Sequence, residues 1–188
     1  MAVPVLIVGA GGFGRSVADA IASGDQLAVA GFLDDRGPDL GEILGHAVLG
    51  RVSDLSAFRR DFAFVVVAVG DNARRRELCR MARAAGFELA TVVHPNAFVS
   101  VHAQLGAGAV VMAGAIVGTE AQVGEGAIVN AAAVVDHHAR VGDFAHLGVG
   151  ACMGGGAVLG ALAWLHEGAV LRAGQEAPPG SVVSRLAP

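Results

Sequence analysis

The chain has 188 residues and a formal net charge of −4, and 54% of it is hydrophobic, mostly Ala, Val and Leu, with 28 glycines besides. No window approaches the roughly 18 to 20 uncharged apolar residues of a membrane span, lysine is absent, and ten of the thirteen arginines precede residue 92 among eleven carboxylates, so no basic stripe marks a nucleic-acid surface. Cys79 and Cys152 stand alone without a CxxC, which argues against a disulfide framework or structural zinc; with no signal-peptide pattern in Met1 to Val8, the expected setting is the cytoplasm.

In chain order, Val3 to Val8 reads as an apolar strand running into Gly9-Ala10-Gly11-Gly12-Phe13-Gly14. Arg15 to Ser23 then reads as a helix with Val17, Ala18 and Ile21 on one face. Strand, glycine turn and helix N-terminus form the arrangement in which backbone N–H groups can approach a phosphate. The other reading of the same glycines is a turn that merely packs helix on strand. A second strand, Ala28 to Leu33, ends in Asp34-Asp35-Arg36, where a nucleotide-binding unit places an acid on a ribose or base. Leu55 to Arg60 reads as a short helix and Phe64 to Val69 as a buried strand. After Gly70, Asp71 or Asn72 can cap a helix over Ala73 to Ala85. Arg74, Arg75 and Arg76 read as a solvated helix face. Leu89 to Val93 reads as a last strand that runs straight into the next part of the chain. About ninety residues hold one βαβαβ half, which favours a mononucleotide or nucleotide-sugar over a dinucleotide.

His94-Pro95 marks a junction, since Pro95 cannot continue the preceding pattern. The expected domains are 1–92 and 93–188. From Val93 to Leu171 an aliphatic residue returns at every sixth position, as in Val111, Val117, Val123, Val129 and Val135. Alanine follows four residues after each, from Ala97 to Ala169, and Gln175 alone breaks that register. A period of six matches neither a helix nor an ordinary strand. It predicts a solenoid in which each hexad is a short strand plus a corner and three hexads close one coil. The aliphatic side chains point inward, the alanines fill cramped corners, and the intervening Gly, Asn, Asp and His suit corners with unusual backbone angles. Coils are expected at 93–110, 111–128, 129–146, 147–164 and 165–182, with no interrupting loop. The third carries Asn130, Asp136, His137, His138, Asp143 and His146. His137 lies at a corner, pointing away from the core, and imidazole is suited to accepting a proton near neutral pH. His46, His94, His102 and His166 receive no role, and the spacing of His137, His138 and His146 matches no standard metal-ligand pattern.

The hexad register resembles the hexapeptide-repeat acyltransferases. The runs Ile128-Val129-Asn130, Val135-Asp136-His137-His138 and Gly142-Asp143-Phe144-Ala145-His146 are similar to the active-site coil of one branch. That branch comprises the nucleotide-amino-sugar N-acetyltransferases and the sialic-acid O-acetyltransferases. Asp34-Asp35, Gly70-Asp71-Asn72 and the two-part layout extend the resemblance over nearly the whole chain. It implies an α/β Rossmann-like half-domain followed by an all-β left-handed parallel β-helix, acetyl-CoA as co-substrate, no metal, and a homotrimer with active sites between subunits. It also implies His137 as general base, Asn130 lining the site and His146 meeting the acetyl end of CoA. Gly155, one coil beyond His137, could present a backbone N–H to an oxyanion. The nucleotide of an amino-sugar substrate would rest on Gly9, Gly11, Gly12, Phe13 and Gly14 with Asp34, Asp35, Asp71 and Asn72, and the sugar would reach the β-helix. Two departures stand out. His138 occupies a position where the family has Asp or Glu, so Asp136 or a neighbouring chain must support the base or activity falls. The tail Ser184 to Pro188 lacks the family's closing turn. The competing functions are O-acetylation of a sialic-acid-type sugar and non-catalytic sugar binding.

Overall fold

The computed structural model describes residues 2–184, and its contacts divide the chain into two units, Met1–Val92 and Val93–Pro188. The first is built on β1 (Val3–Val8), α1 (Gly12–Ala22), β2 (Leu27–Leu33), β3 (Glu42–Ile43), β4 (His46–Gly50), β5 (Phe64–Val67), α2 (Asn72–Ala84) and β6 (Glu88–Leu89). Its sheet has the order β3-β4-β2-β1-β5-β6, parallel except for the β3–β4 pair. Val5 to Val8 and Val65 to Val67 are buried, as a strand covered on both faces requires. From β1 the chain crosses to β2 on one side and later returns to β5 on the other. The order therefore reverses beside β1, and the carboxyl ends there form the crevice where open α/β sheets take ligands.

Several elements differ from the sequence reading. Helix α1 starts at Gly12, three residues before Arg15, because Gly14 lets its first turn sit against the preceding loop: a Cβ at Gly14 would stand 1.9 Å from the Gly9 carbonyl oxygen. The β3–β4 hairpin has no hydrophobic alternation long enough to read from sequence. The helix expected at Leu55 to Arg60 is a 3₁₀ segment, Val52–Arg60, opened by the Arg51 N–H donating to Asp54 Oδ2 at 2.8 Å. The strand expected over Leu89 to Val93 is two strands, since β6 pairs with β5 whereas Val92–Val93 joins a different sheet.

The second unit is a left-handed parallel β-helix whose two-residue strands recur every six residues. Three faces stack them eighteen residues apart. The first face runs Val92–Val93, Val110–Val111, Ile128–Val129, His146–Leu147, Trp164–Leu165 and Val182–Val183. The second runs Phe98–Val99, Ile116–Val117, Val134–Val135, Cys152–Met153 and Val170–Leu171. The third runs Gln104–Leu105, Gln122–Val123, Arg140–Val141, Val158–Leu159 and Glu176–Ala177. Both residue sets read from the hexads form one core: Val111, Val117, Val129, Val135, Leu147, Leu159 and Leu165 are fully buried, as are Ala109, Ala121, Ala133, Ala145 and Ala157. Each fully buried Val or Leu contributes about 1.5–3 kcal/mol, and its strand is held to the coils above and below. Val93, at one end of the stack, is instead 41% exposed.

The corners are tight turns, closed by bonds such as Ala109 N–H to the Gly106 carbonyl, with a positive φ at every sixth residue from Gly108 to Gly180. Glycine holds most of these positions, but Glu120, Ala132, His138, Phe144 and Leu162 also adopt φ between 56° and 61°. Asn130 and Asp136, expected at such angles, instead open the turns and accept the next N–H, from Ala131 at 2.8 Å and from His137 at 2.7 Å. The divergent tail at residues 185–188 lies outside the described residues. Among those described, no helix is long and apolar enough to cross a membrane.

Candidate active site

In the first unit the sequence-predicted residues gather at the carboxyl ends of β1, β2 and β5, and the structure separates them by task. Gly9 (φ 106°) and Gly14 are glycines for internal reasons: a Cβ on Gly9 would meet the Ala68 carbonyl oxygen at 2.7 Å. Gly11 and Gly12 have no atom within 4 Å of an added Cβ, so their outer side is open to a ligand backbone or phosphate. Gly11 supplies α1 with no side-chain cap, and no carboxylate stands in its first turn. Phe13 is half-buried in that turn.

Asp34 braces the glycine turn. Its carboxylate accepts the Ala10 N–H at 2.8 Å and the Arg36 Nε–H at 2.7 Å. The Arg36 side chain, helped by the two backbone donors, pulls the Asp34 pKa down to about 2. A depressed carboxylate stabilises the fold above its unfolded range, so the brace holds through mild acid and is lost only as pH falls toward about 2. Asp35 is left as the open carboxylate, loosely paired with Arg74 Nη2 at 3.4 Å. Asp71 caps α2, accepting the Arg74 N–H at 2.7 Å.

Arg75 does not belong to a solvated face. It is 1% exposed, donates to the Val69 and Gly70 carbonyls at 2.9 and 3.1 Å, and holds Asn72 Oδ1 at 2.8 Å. Burial lowers its pKa to about 10, still charged at neutral pH. The buried guanidinium thus organises the loop that carries Asp71 and Asn72.

In the second unit His137 and His138 occupy the corner between the second and third faces. Their rings meet edge to face, Nδ1 to Nδ1 at 3.0 Å, and His138 Nε2 lies 2.9 Å from Glu120 Oε2. Asp136 Oδ2 is 3.9 Å from His137 Nε2, beyond hydrogen-bonding distance. The His137 ring lies over Gly155, where an added Cβ would stand 2.5 Å from Cε1 and Nε2. Glu120 and His138 also border an open pocket of about 430 Å³ with His102, Gln104, Gln122 and Arg140. Sequence reading missed Glu120, yet the frame contains the signal: it precedes His138 by one coil, at the same corner.

Asn130 and His146 come together elsewhere. Asn130 Nδ2 and His146 Nε2 are 3.5 Å apart, at the edge of the first face. His146 is nearly buried and stacks on Trp164 with ring centroids 5.3 Å apart and planes within 3°. The third-coil residues therefore form two clusters at different corners of one coil. No group of three His, Cys, Asp or Glu side chains among the described residues is arranged to hold a metal ion.

A hexad solenoid with an open histidine corner, preceded by a glycine-turn α/β unit, defines the hexapeptide-repeat β-helix class. The family profile described as the PglD N-terminal domain matches residues 4–82. The chain is 32% identical over 111 residues to UDP-N-acetylbacillosamine N-acetyltransferase of Bacillus subtilis, a match that covers 58% of this chain and spans about half (51%) of that relative's length. Among solved structures, the acetyltransferase domain of PglB from Neisseria gonorrhoeae superposes with a TM-score of 0.82 at 33% identity, covering 97% of this chain and 96% of that one. The same domain has been solved with acetyl coenzyme A. A point mutant of perosamine N-acetyltransferase from Caulobacter crescentus, solved with CoA and GDP-perosamine, gives 0.75 at 34% identity, covering 97% and 89%. The chain belongs to the nucleotide-amino-sugar N-acetyltransferase branch of the hexapeptide-repeat acyltransferases.

Proposed function

We propose that this chain transfers the acetyl group of acetyl-CoA to an amino group of a nucleotide-linked sugar, with His137 as general base. The observation that carries this reading is the His137 imidazole, held through Nδ1 while most of its side chain is exposed at a corner of the coil. In the reaction, Nε2 takes the proton from the amine as its nitrogen attacks the thioester carbonyl; the C–S bond then breaks, the amide forms and CoA leaves as the thiol. Asn130 lines the site, His146 meets the acetyl end, and Gly155 stands where a backbone donor can face the oxyanion. Gly11, Gly12 and Phe13 with Asp35 receive the nucleotide, on a glycine loop braced by Asp34, and Asp71 with Asn72 completes the site from the start of α2. Neither Cys79 nor Cys152 is in a disulfide, which suits the reducing cytoplasm as its setting.

The test is an assay of CoA release and acetylated product across UDP- and GDP-linked amino sugars, with free sialic acid in parallel. Acetylation of a nucleotide amino sugar is the expected outcome. Transfer only to free sialic acid would establish the O-acetyl reading instead, and nucleotide-sugar binding with no CoA release would establish the non-catalytic one.

The two third-coil clusters support a site completed by a second copy. Outward positions on the second face are apolar, with Phe98, Ile116 and Val170 exposed beside Val134 and Cys152, and His137 sits at that face's edge. A threefold ring covers three such faces without leaving an open end and brings the His137 corner of one copy toward the Asn130–His146 corner of another. Light scattering should return a trimer, and Phe98→Glu should shift it to monomer with loss of turnover. A monomer that still acetylates would remove the shared site.

A further inference from the structure

His137 and His138 share one hydrogen bond, and the chemistry of its far end decides where every proton sits. Glu120 Oε2 lies 2.9 Å from His138 Nε2, and an ionised carboxylate only accepts. In the neutral imidazole the His138 proton is therefore on Nε2, which leaves His138 Nδ1 a bare lone pair. That nitrogen is 3.0 Å from His137 Nδ1, so His137 must carry its own proton on Nδ1. Nε2 of His137 is then the unprotonated nitrogen, the only one that can take a proton from an attacking group. A doubly protonated His138 would reverse the middle bond and place the His137 proton on Nε2, the wrong nitrogen for a base.

We propose that Glu120 and His138 are positioning residues that act in series on His137: the carboxylate sets the His138 tautomer, and His138 sets the tautomer and ring angle of His137. The pair also supports the positive charge His137 acquires when protonated, from a carboxylate one coil away rather than from the adjacent position. The proposal rests on His137 as the general base. Asp136 cannot take this part, because its nearer approach is to Nε2, at 3.9 Å, while its other oxygen accepts the His137 N–H. The other charged or titratable groups around the relay are Arg140 and His102, which share the pocket bordered by Glu120 and His138. Backbone geometry agrees with a fixed corner: Glu120 (φ 57°) and His138 (φ 59°) both hold left-handed conformations in a column that continues as Gly156 and Gly174. All three side chains are more than half exposed, so the relay adds little to stability and its removal should act on chemistry rather than folding.

The experiment combines imidazole ¹⁵N NMR of the free protein with kcat and KM for the wild type, Glu120→Ala, Glu120→Gln, His138→Glu and His138→Glu/Glu120→Ala. The wild type should show His137 protonated on Nδ1 alone. Glu120→Ala should give a mixture of His137 tautomers and a kcat about tenfold lower at unchanged KM, a part of the 10²- to 10⁴-fold that a general base supplies. Glu120→Gln, whose amide can accept or donate, should fix the tautomer less firmly than the carboxylate does and lose less than Glu120→Ala. With His138→Glu a carboxylate reaches His137 directly, so adding Glu120→Ala should change kcat less than twofold. A wild-type His137 protonated on Nε2, or a Glu120→Ala protein with unchanged tautomer and kcat, overturns the relay. The tautomer readout needs no turnover: a locked Nδ1–H in a protein that transfers no acetyl group upholds the relay and sinks the acetyl-transfer reading alone.

Discussion

His137→Ala is expected to lower kcat by about 10²-fold or more, the loss typical of a general base, with KM for the nucleotide sugar nearly unchanged. The size of the effect follows from the proposed chain of bonds at the corner, in which Nε2 is the one bare ring nitrogen; among the described residues, Asp136 stands 3.9 Å from it and His138 is turned toward Glu120. The fold should be indifferent. The His137 ring lies outside the core, while the inward positions of the same corner, Val135 and Ala139, stay buried. Stopped assays of CoA release, with thermal melting alongside, check both halves. A near-normal kcat in a folded variant would remove His137 as the base.

Gly155→Val should be almost as damaging, by about 10- to 10²-fold in kcat, for a purely steric reason. The His137 ring occupies the space in which a side chain at 155 would sit, 2.5 Å from the site of a new Cβ. Contacts that close are not tolerated, and the ring at the end of the His137 side chain moves more easily than the coil backbone. Its displacement breaks the Nδ1 bond and carries Nε2 off line, where a misplacement of about 1 Å can cost 10²-fold. The φ of Gly155 is not among the positive ones, so folding stability should hold or rise slightly as unfolded-chain entropy falls. The double variant with His137→Ala should be no slower than His137→Ala alone, because both changes remove the same group. Additive losses would mean that the side chain at 155 also obstructs something other than His137, such as the approach of the thioester carbonyl to the Gly155 N–H.

The glycine turn shows where residue-by-residue reading runs short. Gly9, Gly11, Gly12 and Gly14 look equivalent in sequence, yet Gly9 and Gly14 are required by backbone packing and Gly11 and Gly12 are open. Backbone packing therefore accounts for Gly9 and Gly14, while the open pair leaves the room that a ligand would need. The adjacent acids divide in the same way, Asp34 turned inward onto Ala10 and Asp35 outward. Arg75 was legible only as one of three successive arginines, and nothing local marks it as the one whose guanidinium meets the Val69 and Gly70 carbonyls inside the fold.

What the sequence determined by itself is the solenoid: its coils, its inward ladder and the corner that carries His137. A strict period of six leaves no other way to bury an aliphatic residue in every hexad, and stacking then makes contacts a matter of counting. Tertiary structure alone decided where β1 finds its partners, which acid braces and which stays open, and the separation of Asn130 and His146 from His137. The hexad frame puts Glu120 and His138 at one corner, but only the structure turns the two side chains together, Oε2 to Nε2 at 2.9 Å. Those outcomes depend on side-chain direction and on long-range pairing, which are set by close packing between segments rather than by the spacing of residues along the chain.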